Sequence, residues 1–447
     1  MLPKSQEEET IRSQLICQDC LNADEDCNRT ACGRCATADG CNTAANGECS
    51  HAEGCSSKAF GDCSHAEGNN SRAMESNSHA EGCSTKAFGN CSHSEGNNTA
   101  AYGDSSHAEG VGTKTRGSYS HAEGNSCEAN GESSHAQGVG TKAEAYGSFS
   151  TGGYTTAKGS YSQAEGYGST TNGSYAHAEG YYTTATGSYS HAEGYSTLTE
   201  GYSAHAEGYA TNARAPYSHS EGYFTDTKSN TGAHIMGLYG DADTPYSWFL
   251  GGGTSSSRAL AAKILYTGDG YVRNAWHAGG MGYSEMFSPC CGKTIEPGYF
   301  VTLENDCIKT ASDQDMFVLG VTTVNPGFVA NSGELTNNYL TNTWNQPLYE
   351  EVVIPEKTDK EGNVIEPVQA IKQPILGSQA QAVSSGYNGV MVTLLGQVLV
   401  MDDGTCEPNG CCVPNMDGVA TASPYCWGGY KVMKRISDNQ ILIFFRN

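Results

Sequence analysis

A histidine returns every 14 residues through the middle of the chain, and this interval limits what the chain can fold into. The series runs through His51, His65, His79, His93, His107, His121, His135, His177, His191, His205 and His219, and Phe149 and Gln163 take two of its places. Around nearly every member the chain reads Ser-His-Ala-Glu-Gly or a close variant. A short fixed period with glycine at set positions is typical of a solenoid.

Fourteen residues are too few for two helices and a turn, but they suffice for two short strands and two tight corners. Glycine can take the backbone angles that such corners need. Successive coils would stack as parallel strands about 4.8 Å apart. Because side chains alternate along a strand, Ser, Ala and Gly of the motif face one side and His and Glu the other. We therefore predict an all-β, parallel β-roll with small residues inside and His and Glu outside.

The interior of such a roll would be lined mostly by methyl groups. At about 25 cal/mol per Å² of buried apolar surface, it would offset little of the ordering entropy of each coil. We therefore predict that rolls associate side by side.

Composition and charge exclude several classes of function. The 447-residue chain has a formal net charge of −24, whereas nucleic-acid binding needs clustered Lys and Arg. No apolar run approaches the roughly 18 residues of a membrane span, and residues 1–17 lack the apolar stretch of a secretory signal. No P-loop, cofactor fingerprint or Ser/His/Asp constellation appears, so we predict no cofactor and no enzyme acting on other molecules.

The cysteine content indicates that the protein is located outside reducing cytosol. Nineteen cysteines are unusual for a protein that stays there. A particle assembled inside a cell and released by lysis, such as a spore coat or a virion, would fit both this content and the missing signal. Secretion by a non-standard route is the alternative.

The repeat resembles the YadA-like head of trimeric autotransporter adhesins over about residues 37–225. The family motif is Ser-Val-Ala-Ile-Gly, and its two large apolar residues face the trimer interior; this chain has His and Glu at those places. The resemblance implies a left-handed β-roll and a homotrimer. It does not imply adhesion.

Carried onto this chain, the resemblance places the His and Glu ladders at the trimer seam. The candidate seam residues are His51, Glu53, His65, Glu67, His79, Glu81, His107, Glu109, His121, Glu123, His177, Glu179, His191, Glu193, His205 and Glu207. Stacked carboxylates repel, so we expect His–Glu pairing that lowers the pKa of Glu and raises that of His. Metal binding and acid–base catalysis remain alternatives, but a pattern repeated this often favours an architectural role, so no metal site is predicted.

Cysteine and tyrosine share two slots of the repeat. Cys41, Cys55 and Cys83 occupy the slot four residues after the His, and Cys49, Cys63 and Cys91 the slot two before it; both turn to Tyr further along. These thiols could form disulfides between coils or protomers, or stay reduced. In the N-terminal segment, Cys17, Cys20, Cys27, Cys32 and Cys35 suggest disulfides or a zinc knuckle. The remaining disulfide candidates are Cys290, Cys291, Cys406, Cys411, Cys412 and Cys426.

Strand-like runs dominate the rest of the chain. We predict four parts: a Cys-rich anchor at 1–36, the β-roll at 37–230, a neck at 231–280 and a β-rich C-terminal tip domain at 281–447. The insertion 345–375, with 359–363 at its tip, is predicted to be a long hairpin.

The stretch 270–301 is similar to the intramolecular-chaperone domain of phage appendage and tail-spike proteins. That domain assists trimerisation and then cuts itself off. The family motif reads about Gly-Ala-Asp-Tyr-Ala-Glu-Tyr-Phe, and here the chain has Gly280-Met281-Gly282-Tyr283-Ser284-Glu285-Met286-Phe287. The resemblance implies Glu285 as the catalytic carboxylate and Met281–Gly282 as the scissile bond. Gly282 replaces the Asp that a paired-acid mechanism would use, so a retained cap is the alternative to self-cleavage.

The sequence favours a structural homotrimeric fibre on a spore or cell surface, anchored through its N-terminal segment, with trimers that could join end to end. One alternative is a phage tail spike with a self-cleaving chaperone, which would be part of a virion. Another is an adhesin that binds a host or matrix ligand at its tip. A carbohydrate-degrading spike would need paired acids in a groove, and the repeats offer only ladders.

Overall fold

The computed structural model describes residues 28–290, 292–330, 340, 342–344, 346–358, 364–366, 369–375 and 389–446. It divides into two compact units, Met1–Asn274 with Ile354–Gln369, and Ala275–Val353 with Ala370–Asn447. The described elements are strands, which confirms the predicted all-β class. Among these residues no helix has the length and apolar character needed to cross a bilayer.

The first unit is a parallel β-solenoid of about 16 coils. Each coil contributes a five-residue strand to one long ladder. These strands are Thr37–Cys41, His51–Cys55, His65–Asn69, His79–Cys83, His93–Asn97, His107–Val111, His121–Asn125, His135–Val139, Phe149–Gly153, Gln163–Tyr167, His177–Tyr181, His191–Tyr195, His205–Tyr209, His219–Tyr223, His234–Leu238 and Trp248–Gly252.

A second face of the roll is a 14-stranded sheet of two-residue strands. Its members are Thr30–Ala31, Ala44–Ala45, Lys58–Ala59, Arg72–Ala73, Lys86–Ala87, Ala100–Ala101, Lys114–Thr115, Glu128–Ala129, Lys142–Ala143, Thr156–Ala157, Thr170–Thr171, Thr184–Ala185, Leu198–Thr199 and Asn212–Ala213. Identical slots lie side by side, as where His93 is the register partner of His107.

Small residues fill the interior, as predicted. In the coil that begins at His51, the side chains of Ala52, Ser57 and Ala59 are 0% exposed, while His51 is half-buried. The fourth residue of each coil must be glycine, because a Cβ on Gly54 would lie 2.2 Å from the carbonyl oxygen of Gly68.

The corners differ from the prediction. We expected glycine at the left-handed positions, but most are held by other residues, such as Cys63 at φ 55° and Tyr119 at φ 59°. Their amides are bonded to the preceding coil; Cys63 N donates to the oxygen of Glu48 at 2.8 Å. The stacked ladder thus stabilises a conformation that non-glycine residues rarely adopt.

The ladder continues past residue 230, where the sequence placed the start of a neck. A 15-residue step brings His234 beside His219, and Trp248 then pairs with His234. The side chains of Ile235 and Phe249 replace the usual small residues in the interior. The antiparallel strands Leu260–Ile264 and Gly270–Val272 close this end.

The second unit is built on a 10-stranded sheet. Its strands are Met281–Phe287, Phe300–Glu304, Cys307–Thr310, Gly320–Thr322, Pro326–Ala330, Val390–Met401, Cys411–Pro414, Ala420–Ser423, Tyr430–Ser437 and Gln440–Phe445. Large side chains form its core, including Phe300, Ile441, Ile443 and Phe445.

The insertion forms strands as predicted. Tyr349–Ile354 pairs with Gln369–Pro374, and Lys357–Thr358 pairs antiparallel with Val364–Glu366. Its predicted tip, residues 359–363, lies outside the described residues.

Candidate functional site: the cleavage strand and the side-chain ladders

The candidate scissile bond lies in an inner strand of the second unit. Met281–Phe287 pairs parallel with Pro326–Ala330 on one side and antiparallel with Val390–Met401 on the other. The register shifts between Tyr283 and Ser284, which is a bulge directly after the candidate bond. Bulges re-aim side chains and are frequent beside active sites.

Gly282 occupies a place that only glycine fits in this fold. Its φ is +74°, and an added Cβ would lie 2.6 Å from Cγ2 of Thr393 and 3.0 Å from the carbonyl oxygen of Gln397. Gly396 crosses it closely, since a Cβ there would lie 3.0 Å from Cα of Gly282. A side chain at position 282 would therefore require the neighbouring strand to move.

Glu285 is bonded to the tyrosine two residues before it. The Tyr283 hydroxyl donates to Oε1 of Glu285 at 2.7 Å, and this bond to a carboxylate raises the pKa of Tyr283. The Tyr283 ring also stacks on Phe328, with ring centroids 5.9 Å apart. On the opposite face, the fully buried Ser284 shares a 3.1 Å hydrogen bond with Thr393. The carboxylate is thus held by a rigid neighbour on the same strand.

The predicted seam residues form two ladders on the roll, and Phe149 and Gln163 interrupt the His ladder. Most neighbouring His rings stack in parallel, as between His79 and His93, where centroids are 4.7 Å apart and planes differ by 1°. In the early coils each His lies near the Glu of its own coil, as where His65 Nε2 is 3.9 Å from Glu67. In the last coils each His lies near the Glu of the preceding coil, as where His219 Nε2 is 3.7 Å from Glu207.

The Nε2 atoms of eleven ladder histidines are buried without a hydrogen-bond partner in the described chain. They belong to His65, His79, His93, His107, His121, His135, His177, His191, His205, His219 and His234. Buried polar atoms are rarely left unpaired in native structures.

The predicted rise in His pKa is wrong. The pKa values of His65, His93, His121, His135, His191, His205 and His219 are lowered, that of His219 to about 4. Burial is the main cause, and for most of them the neighbouring His adds to it. Burial, assisted in most coils by the neighbouring His, thus outweighs the nearby carboxylates.

The Glu ladder shares protons. Hydrogen bonding to Glu207, then burial and Glu179, raises the pKa of Glu193 to about 7. Hydrogen bonds from Glu221 and Glu193 lower the pKa of Glu207. The prediction of a general fall in Glu pKa therefore fails at Glu193 and Glu221, whose pKa is also raised.

His and Glu of adjacent coils form groups that could hold a metal ion, such as His79, Glu81 and His93, whose ligand atoms all lie within 4.8 Å of one another.

The structure pairs some of the candidate cysteines. Cys290 is bonded to Cys307, and Cys411 to Cys426. Cys32 is also disulfide-bonded. The free cysteines are Cys35, Cys41, Cys49, Cys55, Cys63, Cys83, Cys91, Cys127, Cys406 and Cys412. Cys17, Cys20, Cys27 and Cys291 lie outside the described residues.

Sequence reasoning missed Cys307 as a disulfide partner and His234 as a ladder member. Cys307 follows a tight turn in which Asn305 has a φ of 59°, and an Asn-Asp pair between two strand-like runs was the available signal. His234 is offset by one residue from the 14-residue register, so a strict count passes over it.

Comparison with known proteins finds a family that is similar to the C-terminal part. Residues 244–439 match the family described as Peptidase_G2, IMC autoproteolytic cleavage domain. The matched range contains both Met281–Gly282 and Glu285. The chain therefore contains a β-solenoid and a region similar to that autoproteolytic domain.

A particular relative points to phages. The chain is 30% identical over 191 residues to the pre-neck appendage protein of Bacillus phage B103, covering 42% of this chain and 20% of the relative. The chain thus spans about a fifth of that protein's length. The resemblance to the YadA-like head remains a prediction.

Two solved structures from bacteriophage phi29 are also similar. Pre-mature gene product 12 has a TM-score of 0.45 at 15% identity, covering 92% of this chain and 50% of that one. A C-terminal fragment of gene product 12 has a TM-score of 0.28 at 25% identity, covering 37% of this chain and 99% of the fragment.

Proposed function

We propose that this protein is a structural appendage of a phage virion, with the β-roll as its shaft and a C-terminal domain that aids assembly and then cuts itself off. The observation that carries the proposal is the match of residues 244–439 to an autoproteolytic cleavage family, next to a solenoid. The name of the B103 relative supports the virion setting. This setting replaces the spore or cell surface that the sequence favoured.

The roll works as a homotrimer in this proposal. A single roll buries mainly the methyl groups of alanine, and a row of ladder Nε2 atoms lacks partners. A second and third copy of the chain would cover that face. Sedimentation equilibrium of the full chain should give three times the chain mass, and a monomer at micromolar concentration would contradict the trimer.

Cleavage takes place between Met281 and Gly282, with Glu285 as the carboxylate that moves the proton. Support comes from the family match, from the bulge after the bond and from the Tyr283 hydroxyl that orients Glu285. General acid–base groups typically contribute about 10²–10⁴-fold to a rate. The retained cap remains the second candidate, because Gly282 supplies no second carboxylate.

The test is intact-mass analysis and N-terminal sequencing of the purified full chain over time. The expected product is a C-terminal fragment that begins at Gly282, and Glu285→Gln should slow its release at least about 100-fold. Glu351→Gln, at an exposed position on the strand Tyr349–Ile354, is the matched control and should be cut like the parent. A single full-length mass in the parent chain would establish the retained cap instead.

The role of Tyr283 can be separated from that of Glu285. Tyr283→Phe keeps the ring that stacks on Phe328 but removes the donor to Glu285. We expect cleavage slowed several-fold, since the carboxylate of Glu285 loses the hydroxyl that orients it. An unchanged cleavage rate would show that Tyr283 only packs.

A further inference from the structure

Two thiols lie together in the core of the C-terminal domain. Cys406 and Cys412 are both free and 0% exposed, and both belong to the cluster built around Phe300 and Ile441. The side chains of Cys406 and Cys412 are hydrogen-bonded to each other. Neither has a part in the proposed cleavage.

A tight turn brings them together. Gly410 N donates to the oxygen of Glu407 at 2.9 Å, and Asn409 between them has a φ of 64°. Pro408 followed by a residue at positive φ is the pattern of a type II turn. The turn returns the chain so that Cys406, just before it, lies against the strand Cys411–Pro414 just after it.

The strand keeps its two adjacent cysteines apart. Because side chains alternate along a strand, Cys411 and Cys412 point to opposite faces. Cys411 is bonded to Cys426, with Cα atoms 5.4 Å apart. Cys412 is left to face Cys406 in the core, so each cysteine of the pair has a separate partner.

An ion pair holds the Cys406 loop in place. The Asp402 side chain is fully buried, its Oδ2 is 2.7 Å from Nη2 of Arg435, and its Oδ1 accepts from Cys406 N at 3.3 Å. Arg435 also donates to the Cys406 carbonyl oxygen. The hydrogen bond to Cys412, burial and the Asp402 carboxylate together raise the pKa of the Cys406 thiol, which keeps it protonated.

We propose that Cys406 and Cys412 are a dithiol that closes into a third disulfide of this domain when the protein meets an oxidising solution. The two thiols lose two protons and two electrons to a small disulfide of the oxidised-glutathione class. That disulfide leaves as two thiols, and one new S–S bond joins the loop to the strand. In reducing cytosol the pair stays open. This inference does not depend on cleavage or on the virion setting.

The test counts thiols on the full chain. Protein prepared with reductant is exchanged into oxidised glutathione, denatured in N-ethylmaleimide and weighed by mass spectrometry, beside Cys406→Ala treated in the same way. If the pair closes, the variant carries one maleimide more than the parent, because Cys412 has lost its partner. If the pair stays open, the variant carries one fewer, and that result overturns the proposal. The parent and the variant share every other cysteine, and a mixed disulfide of Cys412 with glutathione, seen by its added mass, is counted as an unpaired thiol.

A second readout is thermal. Closing a loop this short should raise the melting temperature of the parent chain by roughly 5 °C on oxidation. Cys406→Ala, which cannot close, should show a smaller rise, due only to the other disulfides. Equal rises in the melting temperature of parent and variant, with the parent fully oxidised, would contradict a disulfide between Cys406 and Cys412.

Discussion

The two units of this chain reach a buried interior by opposite means. The roll buries alanine, serine and threonine under a ladder of identical slots, whereas the C-terminal unit buries Phe300, Ile441 and Phe445 and adds disulfides. Apolar burial stabilises in proportion to area. The roll therefore depends on backbone geometry, and the C-terminal unit on its own core. Substitutions can test this contrast, and the largest effects come first.

Backbone geometry should be the most sensitive feature of the roll. At Gly110, φ is +107° and a Cβ would lie 2.1 Å from the oxygen of Gly124, so Gly110→Ala should destabilise by on the order of 4 kcal/mol or more. Gly112→Ala in the same coil is the control: φ is +66°, and the nearest contact, with Ser126, is 3.6 Å away. It should cost only about 1–2 kcal/mol. Equal losses in urea unfolding would show that coil spacing is not what requires glycine.

The C-terminal core should tolerate truncation less well than the interior of the roll. Phe300 is fully buried and stacks on Tyr430 with centroids 5.2 Å apart, so Phe300→Ala should cost about 3–5 kcal/mol. Ala122→Gly in the roll should cost only about 1 kcal/mol. Thermal unfolding of the full chain measures both losses of stability. The contrast between the units is wrong if Ala122→Gly costs as much stability as Phe300→Ala.

The disulfides should matter to the C-terminal unit. Cys290 and Cys307 are 17 residues apart, so Cys290→Ser with Cys307→Ser should lower the free energy of unfolding by about 3 kcal/mol. The double substitution Cys55→Ser with Cys83→Ser, at free and exposed thiols of the roll, is the control and should change little. A comparable loss in that control would mean that the roll thiols are cross-linked in the mature protein.

The smallest effect concerns pH. A His whose folded pKa lies below the unfolded value gives stability that is full above about pH 6.5. That stability is lost as pH falls toward the folded pKa, about 4 for His219. Glu193, raised to about 7, acts oppositely and weakens the roll as pH rises from about 4.5 to 7. The pKa is lowered in seven His and raised in only two Glu, so the effect of the His residues is the larger. The roll should therefore melt a few degrees lower at pH 5 than at pH 7.5.

His191→Gln sharpens the pH test, because Gln163 already fills the same slot in another coil. The variant should lose slightly less stability on acidification than the parent. If the parent melts at the same temperature at both pH values, the lowered His pKa is not coupled to folding.

The sequence predicted the roll well because its period is in the chain itself. The residues that line the interior follow from alternation along a strand, as at Ala52 and Ser57. The signs of the His shifts could not be read in this way, because they depend on how closely His79 and His93 stack relative to their carboxylates. The close approach of Gly282 to Gly396 could not be read from the sequence either, because these residues meet only when two distant strands pair. The disulfide of Cys307 was missed although the turn at Asn305, just before it, could be read from the sequence.

The repetition of the ladder also makes the length of the roll a countable quantity. Each coil is register partner to a near copy of itself, as His121 is to His107. Gain or loss of one 14-residue unit therefore leaves every remaining contact type intact and changes the rod by about 4.8 Å. Duplication of a short stretch of the gene would thus lengthen the roll by whole coils without a new fold. The length of the roll can therefore change in evolution in fixed steps.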